Sequence, residues 1–376
     1  MYIKTLELKD YRNYNQLHMN FYNGVNILYG DNAQGKTNIL ESLYICGTTK
    51  SHKGSKDKEI IKLDKDESHI KIILEKDSIN HKVDMHLKKS KPKGVAIDGL
   101  PIKKSSELFG IVNFVFFSPE DLSIIKNGPS ERRRFIDLEL CQLDKVYLYH
   151  LSCYNKILIQ RNNLLKQISF NRKLLDTLSV WDLQLVDHGI KIMERRKLFI
   201  DQLKVIVNKI HNQLSGNKEN LILNYESNVT IENFSEKLEN SLERDINLKM
   251  TNYGPHRDDI IIFNGNEDIR KFGSQGQQRT AALSLKLAEI EIVKQITKDN
   301  PILLLDDVLS ELDRKRQNYL LNSISGIQTI ITCTGLEELI ANRMKCDRIF
   351  RVVEGTVTEE NTFTKDVIHT KTGGSL

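Results

Sequence analysis

The chain has 376 residues, 39% apolar and 28% charged, with a net charge of +5. That length can bury a large core and exceeds one compact unit, so two domains, or a head carrying an insertion, are expected. No stretch approaches the ~20 apolar residues of a membrane helix, and Met1-Tyr2-Ile3-Lys4 opens without the apolar region of a signal peptide, so a cytoplasmic location is expected. Cys46, Cys141, Cys153, Cys333 and Cys346 show no C-x-x-C spacing, which argues against a zinc site and against a disulfide framework.

Residues 2–28 alternate like strands, with Ile3, Leu6 and Leu8 before Tyr11-Arg12-Asn13-Tyr14, then Leu17, Met19 and Phe21 leading to Asn23-Gly24. The expectation is a hairpin feeding the strand Val25, Ile27, Leu28. Gly30-Asp31-Asn32-Ala33-Gln34-Gly35-Lys36-Thr37 follows, matching G-x-x-x-x-G-K-[ST] without deviation, and Asn38 opens a helix. In a P-loop the backbone N–H groups and the helix start surround phosphate oxygens, Lys36 reaches the β and γ phosphates, and Thr37 ligates Mg²⁺.

A polar loop, 48–57, precedes strands around 70–74, 82–87 and 95–97, and residues 82–104 hold seven lysines against two aspartates. Either these lysines solvate and block sheet edges or they contact phosphates. A strand over 112–117 ends at Ser118-Pro119-Glu120. The composition then turns helical and basic: residues 121–212 carry 16 Lys and Arg against 10 Asp and Glu. Leu143, Tyr147, Leu151, Tyr154, Leu158, Leu165 and Ile168 form one amphipathic stripe, interrupted by Arg161, and Trp181 through Ile210 form a second. An antiparallel helical hairpin is predicted, with limbs of ~45 Å if about 30 residues each are helical. His188 sits in the second stripe as a core histidine. Beyond it the pattern predicts strands at 221–225 and 259–263, a helix over 232–244, a terminal hairpin turning at Glu354-Gly355, and a disordered tail from Thr370.

The second half completes a site. Pro301-Ile302-Leu303-Leu304-Leu305-Asp306-Asp307 is a buried strand ending in two carboxylates: Asp306 can hold Mg²⁺ through its water shell and Asp307 can reach an attacking water. Lys36, Asp306 and Asp307 are therefore the catalytic candidates, and Thr37 and Asp306 the metal candidates. Ser274-Gln275-Gly276-Gln277-Gln278-Arg279 is a polar turn entering a helix, whose start offers N–H groups to an anion. In Ser310-Glu311-Leu312-Asp313, Asp313 is either an ordinary first-turn acid or a contact to a second subunit.

The order P-loop, long insertion, signature turn, Walker B strand, Ser-Glu-Leu-Asp resembles the ABC-type ATPases of the SMC and recombination-repair group. Asp10 to Tyr14, Gly254-Pro255-His256-Arg257-Asp258-Asp259, Ser274 to Arg279 and Leu304 to Asp313 narrow the resemblance, over nearly the whole chain, to the group's bacterial recombination mediators. The fold it implies is α/β: an ABC-type P-loop head, a mixed sheet with flanking helices, split by a short helical hairpin arm. The head's first part with Walker A is expected over 1–120, the arm over 121–244, and the head's second part with signature and Walker B over 245–376.

The resemblance further implies ATP and Mg²⁺ as cofactors, with nucleotide contacts from Gly30 to Asn38, from Arg12 and Asn13, and, across a dimer, from Ser274, Gly276 and Gln277. It also implies an ATP-dependent homodimer that binds single- and double-stranded DNA, especially their boundaries at gaps. Such a protein works with RecO and RecR to load RecA in replication, repair and the SOS response, is associated with the nucleoid and has no membrane partner. Candidate DNA contacts are Lys88 and Lys89, with the neighbouring Lys91, Lys93, Lys103 and Lys104, and Arg132, Arg133 and Arg134. For the arginines, pairing with Glu131, Asp137 and Glu139 is the structural alternative.

Asp307 in place of the transporter glutamate, Thr332 near the place of the switch histidine, and Ser118-Pro119-Glu120 in place of the glutamine loop point to slow hydrolysis, which the resemblance implies is DNA-dependent. The same departures argue against a transporter subunit. The alternative of an SMC-like structural or nuclease-associated ATPase would need a long coiled coil or an added nuclease domain, and a small-molecule kinase would not carry the signature turn. The role of Gly254 to Asp259 is not legible from residue chemistry.

Overall fold

The structure is a computed structural model that describes residues 1–336 and 346–360; the tail expected to be disordered lies outside them. In chain order the strands are β1 (Tyr2–Tyr11), β2 (Tyr14–Asn20), β3 (Val25–Tyr29), β4 (Glu67–Lys76), β5 (Ile79–Lys88), β6 (Gly94–Ile97), β7 (Leu100–Pro101), β8 (Phe114–Phe117), β9 (Leu221–Glu226), β10 (Asp259–Asn264), β11 (Glu267–Asp268), β12 (Ile302–Asp306), β13 (Thr329–Cys333), β14 (Arg348–Val353) and β15 (Thr356–Glu360). The principal helices are α1 (Lys36–Thr48), α2 (Pro129–Leu143), α3 (Lys145–Ile168), α4 (Leu178–Ser215), α5 (Gln275–Thr297) and α6 (Arg314–Ser323). The chain divides into two compact units, Met1–Pro119 with the described residues from Val293 onward, and Glu120–Ile292.

The first unit holds two sheets. One is antiparallel, ordered β2-β1-β4-β5-β6-β7, and the other is β15-β14-β3-β13-β12-β8 with a parallel centre. Patterning separates them. β4 alternates buried and accessible residues, as a sheet with one covered face should, whereas β8, β12 and β13 are buried at every position, as parallel strands covered on both faces require. The hairpin β1–β2 therefore does not lead into its own neighbour: β3 joins the other sheet, between β13 and β14. Helix α1 contacts β4 and β5 of one sheet and β8, β12 and β13 of the other. That is why Ile39, Leu40, Leu43, Tyr44, Ile45 and Cys46 can be apolar around the whole helix. Gln328, 2% exposed, joins the sheets by accepting from the Ile3 N–H and donating to the carbonyls of Ile3 and Tyr22.

In the second unit α3 and α4 form the expected hairpin through Arg172–Thr177. Their lengths are unequal, 24 and 38 residues, or about 36 and 57 Å at 1.5 Å per residue rather than two limbs of ~45 Å. Leu165, Ile168, Leu178 and Ile246 close its turn end. Arg161 does not interrupt the stripe. It is fully buried, donating to Asp182, Asp245 and Thr251. His188 is half-buried with its Nδ1 2.8 Å from that of His150, so it is not a core residue. The helix expected over 232–244 is two helices, Phe234–Asn240 and Leu242–Leu248. β10 pairs with β9 along its length, from Asp259↔Glu226 to Asn264↔Leu221. This ladder keeps residues from 245 through Ile292 in the unit of the arm, where the sequence reading had assigned them to the head.

Candidate nucleotide-binding site

The loop between β3 and α1 is built by two glycines that no other residue could replace without movement. Gly30 has φ +149 and a Cβ there would lie 2.3 Å from the Val352 carbonyl oxygen; Gly35 has φ +113 and a Cβ would lie 2.5 Å from Asn13 Nδ2. The loop is clamped from outside. Asn13 donates to the Gln34 carbonyl at 3.0 Å and accepts from the Asn38 side chain at 2.9 Å. The Tyr14 hydroxyl donates to the Gly35 carbonyl at 3.1 Å. Gln34 in turn accepts from the backbone of the β14–β15 turn at Glu354 and Gly355. Lys36 is 7% exposed and its Nζ donates to the Gly30 and Asp31 carbonyls at 2.6 and 2.8 Å. Burial lowers its pKa below the ordinary lysine value, opposed by nearby Asp307 and Asp306. An ammonium held this way strengthens its attraction for an anion when the loop closes on one.

At the end of β12, Asp306 accepts from two hydroxyls, Thr37 and Thr332, each at 2.8 Å to Oδ1. The Thr37 and Asp306 oxygens are hard donors of the kind Mg²⁺ takes, and the hydrogen bond between them leaves the Thr37 lone pair to ligate the ion and Asp306 to hold it through its water shell. Asp307 has φ +52, a conformation aspartate tolerates better than most residues. Its N–H donates to Thr332 Oγ1 at 3.0 Å. One threonine on β13 thus orients both acidic residues of β12.

Arg12 bonds to helix α1 rather than to the loop backbone. Its Nε and Nη2 make a two-pronged pair with buried Glu41 at 2.8 and 2.7 Å, and its remaining named bonds go to the Glu59 carbonyl and Ser55. The sequence reading missed Glu41, although a carboxylate on the buried face of an apolar helix signals a paired cation. Tyr14 was likewise missed, being indistinguishable from a core aromatic by pattern.

The Ser274 turn begins α5 with a reciprocal cap. The Ser274 N–H donates to Gln277 Oε1 at 2.8 Å and the Gln277 N–H to Ser274 Oγ at 3.2 Å. Gln277 is braced by Glu219 at 2.9 Å, and Ser274, Gln275 and Gly276 are exposed. The turn lies in the second compact unit, whereas the P-loop and Asp306 lie in the first.

Among the DNA candidates, Arg132 is corrected. It is 3% exposed, forks onto Asp259 at 2.7 and 3.0 Å, and donates to the Ile124 and Asn127 carbonyls. A guanidinium so committed is withdrawn from any phosphate on the surface. Arg133 is partly buried and donates to the Asp258 carbonyl at 2.6 Å; Arg134 is exposed. Lys88 pairs with Glu67 at 3.3 Å and Lys93 with Asp57 at 3.1 Å, while Lys89, Lys91, Lys103 and Lys104 are exposed. The partners of Arg132 and Arg133 come from the Gly254 to Asp259 segment, so that segment has a structural role. Asp258 accepts from Tyr225, the Asn228 N–H and Arg196, and His256 joins Tyr154 at 2.7 Å. It is a polar hub tying α2, α3 and α4 to β9 and β10.

A sheet with a parallel centre, a P-loop between β3 and α1 and an acid-ended strand β12 set one strand away from β3 across β13, interrupted in sequence by a helical hairpin and followed by a capped signature turn, defines an ATP-binding head of the ABC class. The RecF/RecN/SMC N-terminal domain family matches residues 2–358. The DNA replication and repair protein RecF of Lachnoclostridium phytofermentans is 65% identical over 357 residues, covering 95% of this chain and 99% of that protein. RecF of Lachnospira eligens is 59% identical over 363 residues, covering 96% and 100%. A solved structure of the recombination mediator protein RecF with ATP, in the RecFOR pathway, superposes with a TM-score of 0.90 at 36% identity, covering 96% of this chain and 98% of that one. An Smc head bound to the C-winged helix domain of ScpA, at 16% identity and TM-score 0.57, shares the fold. The chain belongs to the RecF family.

Proposed function

We propose that this chain is an ATP-dependent, DNA-binding recombination mediator that dimerises on ATP, binds single-strand/double-strand boundaries at gaps and, with RecO and RecR, helps load RecA in the cytoplasm. The observation that carries this reading is that each compact unit builds one of the two motifs by itself. The P-loop with Asp306 belongs to one compact unit, and a capped, exposed helix start at Ser274 belongs to the other. A second copy docking head to tail can supply that helix start to the γ-phosphate, and twofold symmetry then builds two composite sites.

Within each site Lys36 draws the β and γ phosphates into the loop, and Thr37 and Asp306 are the residues that would hold Mg²⁺, whose charge offsets that of the phosphate oxygens. Asp307, its backbone fixed by Thr332, orients the attacking water. Asp307 reaches less far than a glutamate and has Thr332 as its backbone partner, so the ATPase is slow and serves a binding cycle, with DNA engagement stimulating it.

The test is sedimentation and gel shift with Asp307→Asn, Ser274→Arg and wild type. With ATP and Mg²⁺, Asp307→Asn is expected to form a dimer that retains gapped DNA. Ser274→Arg is expected to bind ATP normally, stay monomeric and lose ATP-dependent DNA retention. Loss of ATP binding in Ser274→Arg would place the turn in its own chain's site and overturn the dimer reading.

A further inference from the structure

The outer face of the antiparallel sheet carries a group of residues unrelated to the nucleotide loop. His69 on β4 lies directly opposite His86 on β5, and Glu67 lies two residues before His69, on the same face. The two imidazoles stack with centroids 3.9 Å apart, and His86 Nε2 is 2.9 Å from Glu67 Oε2. One ligand atom from each of the three lies within 4.8 Å of the others. Opposite His86 on the far side is Gly94, which adds no side chain, and a cavity of about 890 Å³ opens along this row past Lys9, Lys71 and Met85.

We propose that Glu67, His69 and His86 form a binding site for a divalent transition metal, best suited to Zn²⁺. Two neutral imidazoles and one carboxylate are a donor set that borderline-soft first-row ions prefer, whereas Mg²⁺ and Ca²⁺ prefer oxygen alone. Strand register supplies the preorganisation, since directly opposed residues hold their Cβ atoms about 5 Å apart. Ligands of one tetrahedral Zn²⁺ at ~2.1 Å stand roughly 3.4 Å from each other, so closure needs only small rotations. Glu67 and His69 are exposed and free to make them. The Lys88 ammonium, 3.3 Å from Glu67 Oε2, must be displaced. A surface pair of that kind is worth little, so the cation loses the contest to a doubly charged ion. Three protein ligands leave a fourth position for water or for a donor from a partner.

The experiment uses the full-length, tag-free chain with ZnCl₂ at pH 7.5, in competition with a chromogenic chelator. Wild type is expected to withdraw one equivalent that His69→Ala/His86→Ala does not, with Glu67→Gln binding about 10–100-fold more weakly. Co²⁺ in place of Zn²⁺ should give a spectrum without thiolate charge transfer. Equal withdrawal by wild type and the double variant, no withdrawal by wild type, or a thiolate band that persists in the double variant would each overturn the assignment. ATP binding is the control for folding, because none of the three residues touches the loop.

Discussion

Thr37 and Asp306 stand 269 positions apart in sequence, and the hydroxyl of the first donates to the carboxylate of the second at 2.8 Å. This bond registers the P-loop helix and the Walker B strand to each other. Thr37→Val keeps the shape and removes the oxygen. ATP affinity in Mg²⁺ is expected to fall about 10–100-fold, with no difference from wild type in EDTA. Titration of a fluorescent ATP analogue with and without Mg²⁺ checks this, and an equal loss in both conditions would assign the hydroxyl to packing.

Thr332 accepts from the Asp307 N–H and donates to Asp306. Thr332→Val leaves the part-buried Asp307 N–H without its partner, at a cost of about 1 kcal/mol in stability, and releases the backbone of Asp307. Single-turnover ATP hydrolysis should slow by roughly tenfold or more while ATP binding holds within a few fold. Unchanged single-turnover rates would leave Thr332 with a purely structural role.

Arg132→Ala leaves the part-buried Asp259 carboxylate without its guanidinium and should cost about 1–3 kcal/mol in urea unfolding, whereas exposed Arg134→Ala should change stability less. DNA affinity should respond in the opposite sense. For the ATP-bound dimer on a gapped duplex, Lys89→Ala/Arg134→Ala is expected to flatten log affinity against log salt by roughly 0.9 for each phosphate contact removed. An unchanged slope would move the DNA surface away from both residues.

His256 is half-buried, with Nε2 donating to the Thr251 carbonyl and Nδ1 accepting from the Tyr154 hydroxyl. Nδ1 can accept only in the neutral ring, whereas Nε2–H donates in either state, and desolvation pushes the pKa down from 6.5 to about 4 against the opposing pull of the Thr251 bond. Between those values the unfolded chain binds the proton and the folded chain does not. The contribution is therefore complete above pH 6.5 and is lost as the pH falls toward 4, amounting to on the order of 3 kcal/mol. The unfolding free energy from urea titration should fall between pH 7 and 4.5 by most of that amount more in wild type than in His256→Gln. A pH dependence identical in the two proteins would remove His256 as its source.

Local signals were strong where the physics is local. The P-loop follows from a fixed spacing of glycines, lysine and threonine, the buried strand before Asp306 from an unbroken apolar run, and the helical hairpin from stripes at three-and-four spacing. The Ser274 turn was legible as a helix start, and its reciprocal cap with Gln277 needs only neighbours in sequence.

What only the tertiary structure decided are the relationships between distant segments. Whether an arginine is a surface cation or a buried strut depends on a carboxylate supplied from elsewhere: Arg132 on α2 found Asp259 on β10, not the helix neighbours that spacing offered. Arg12 found Glu41, and Arg161 found Asp182 and Asp245. The same holds for His69 and His86, seventeen positions apart and joined only by strand register. Periodicity reports which face of an element is apolar, but burying a charge requires a partner whose position is set by the fold, so the Gly254 to Asp259 hub stayed opaque until β9 and β10 were paired.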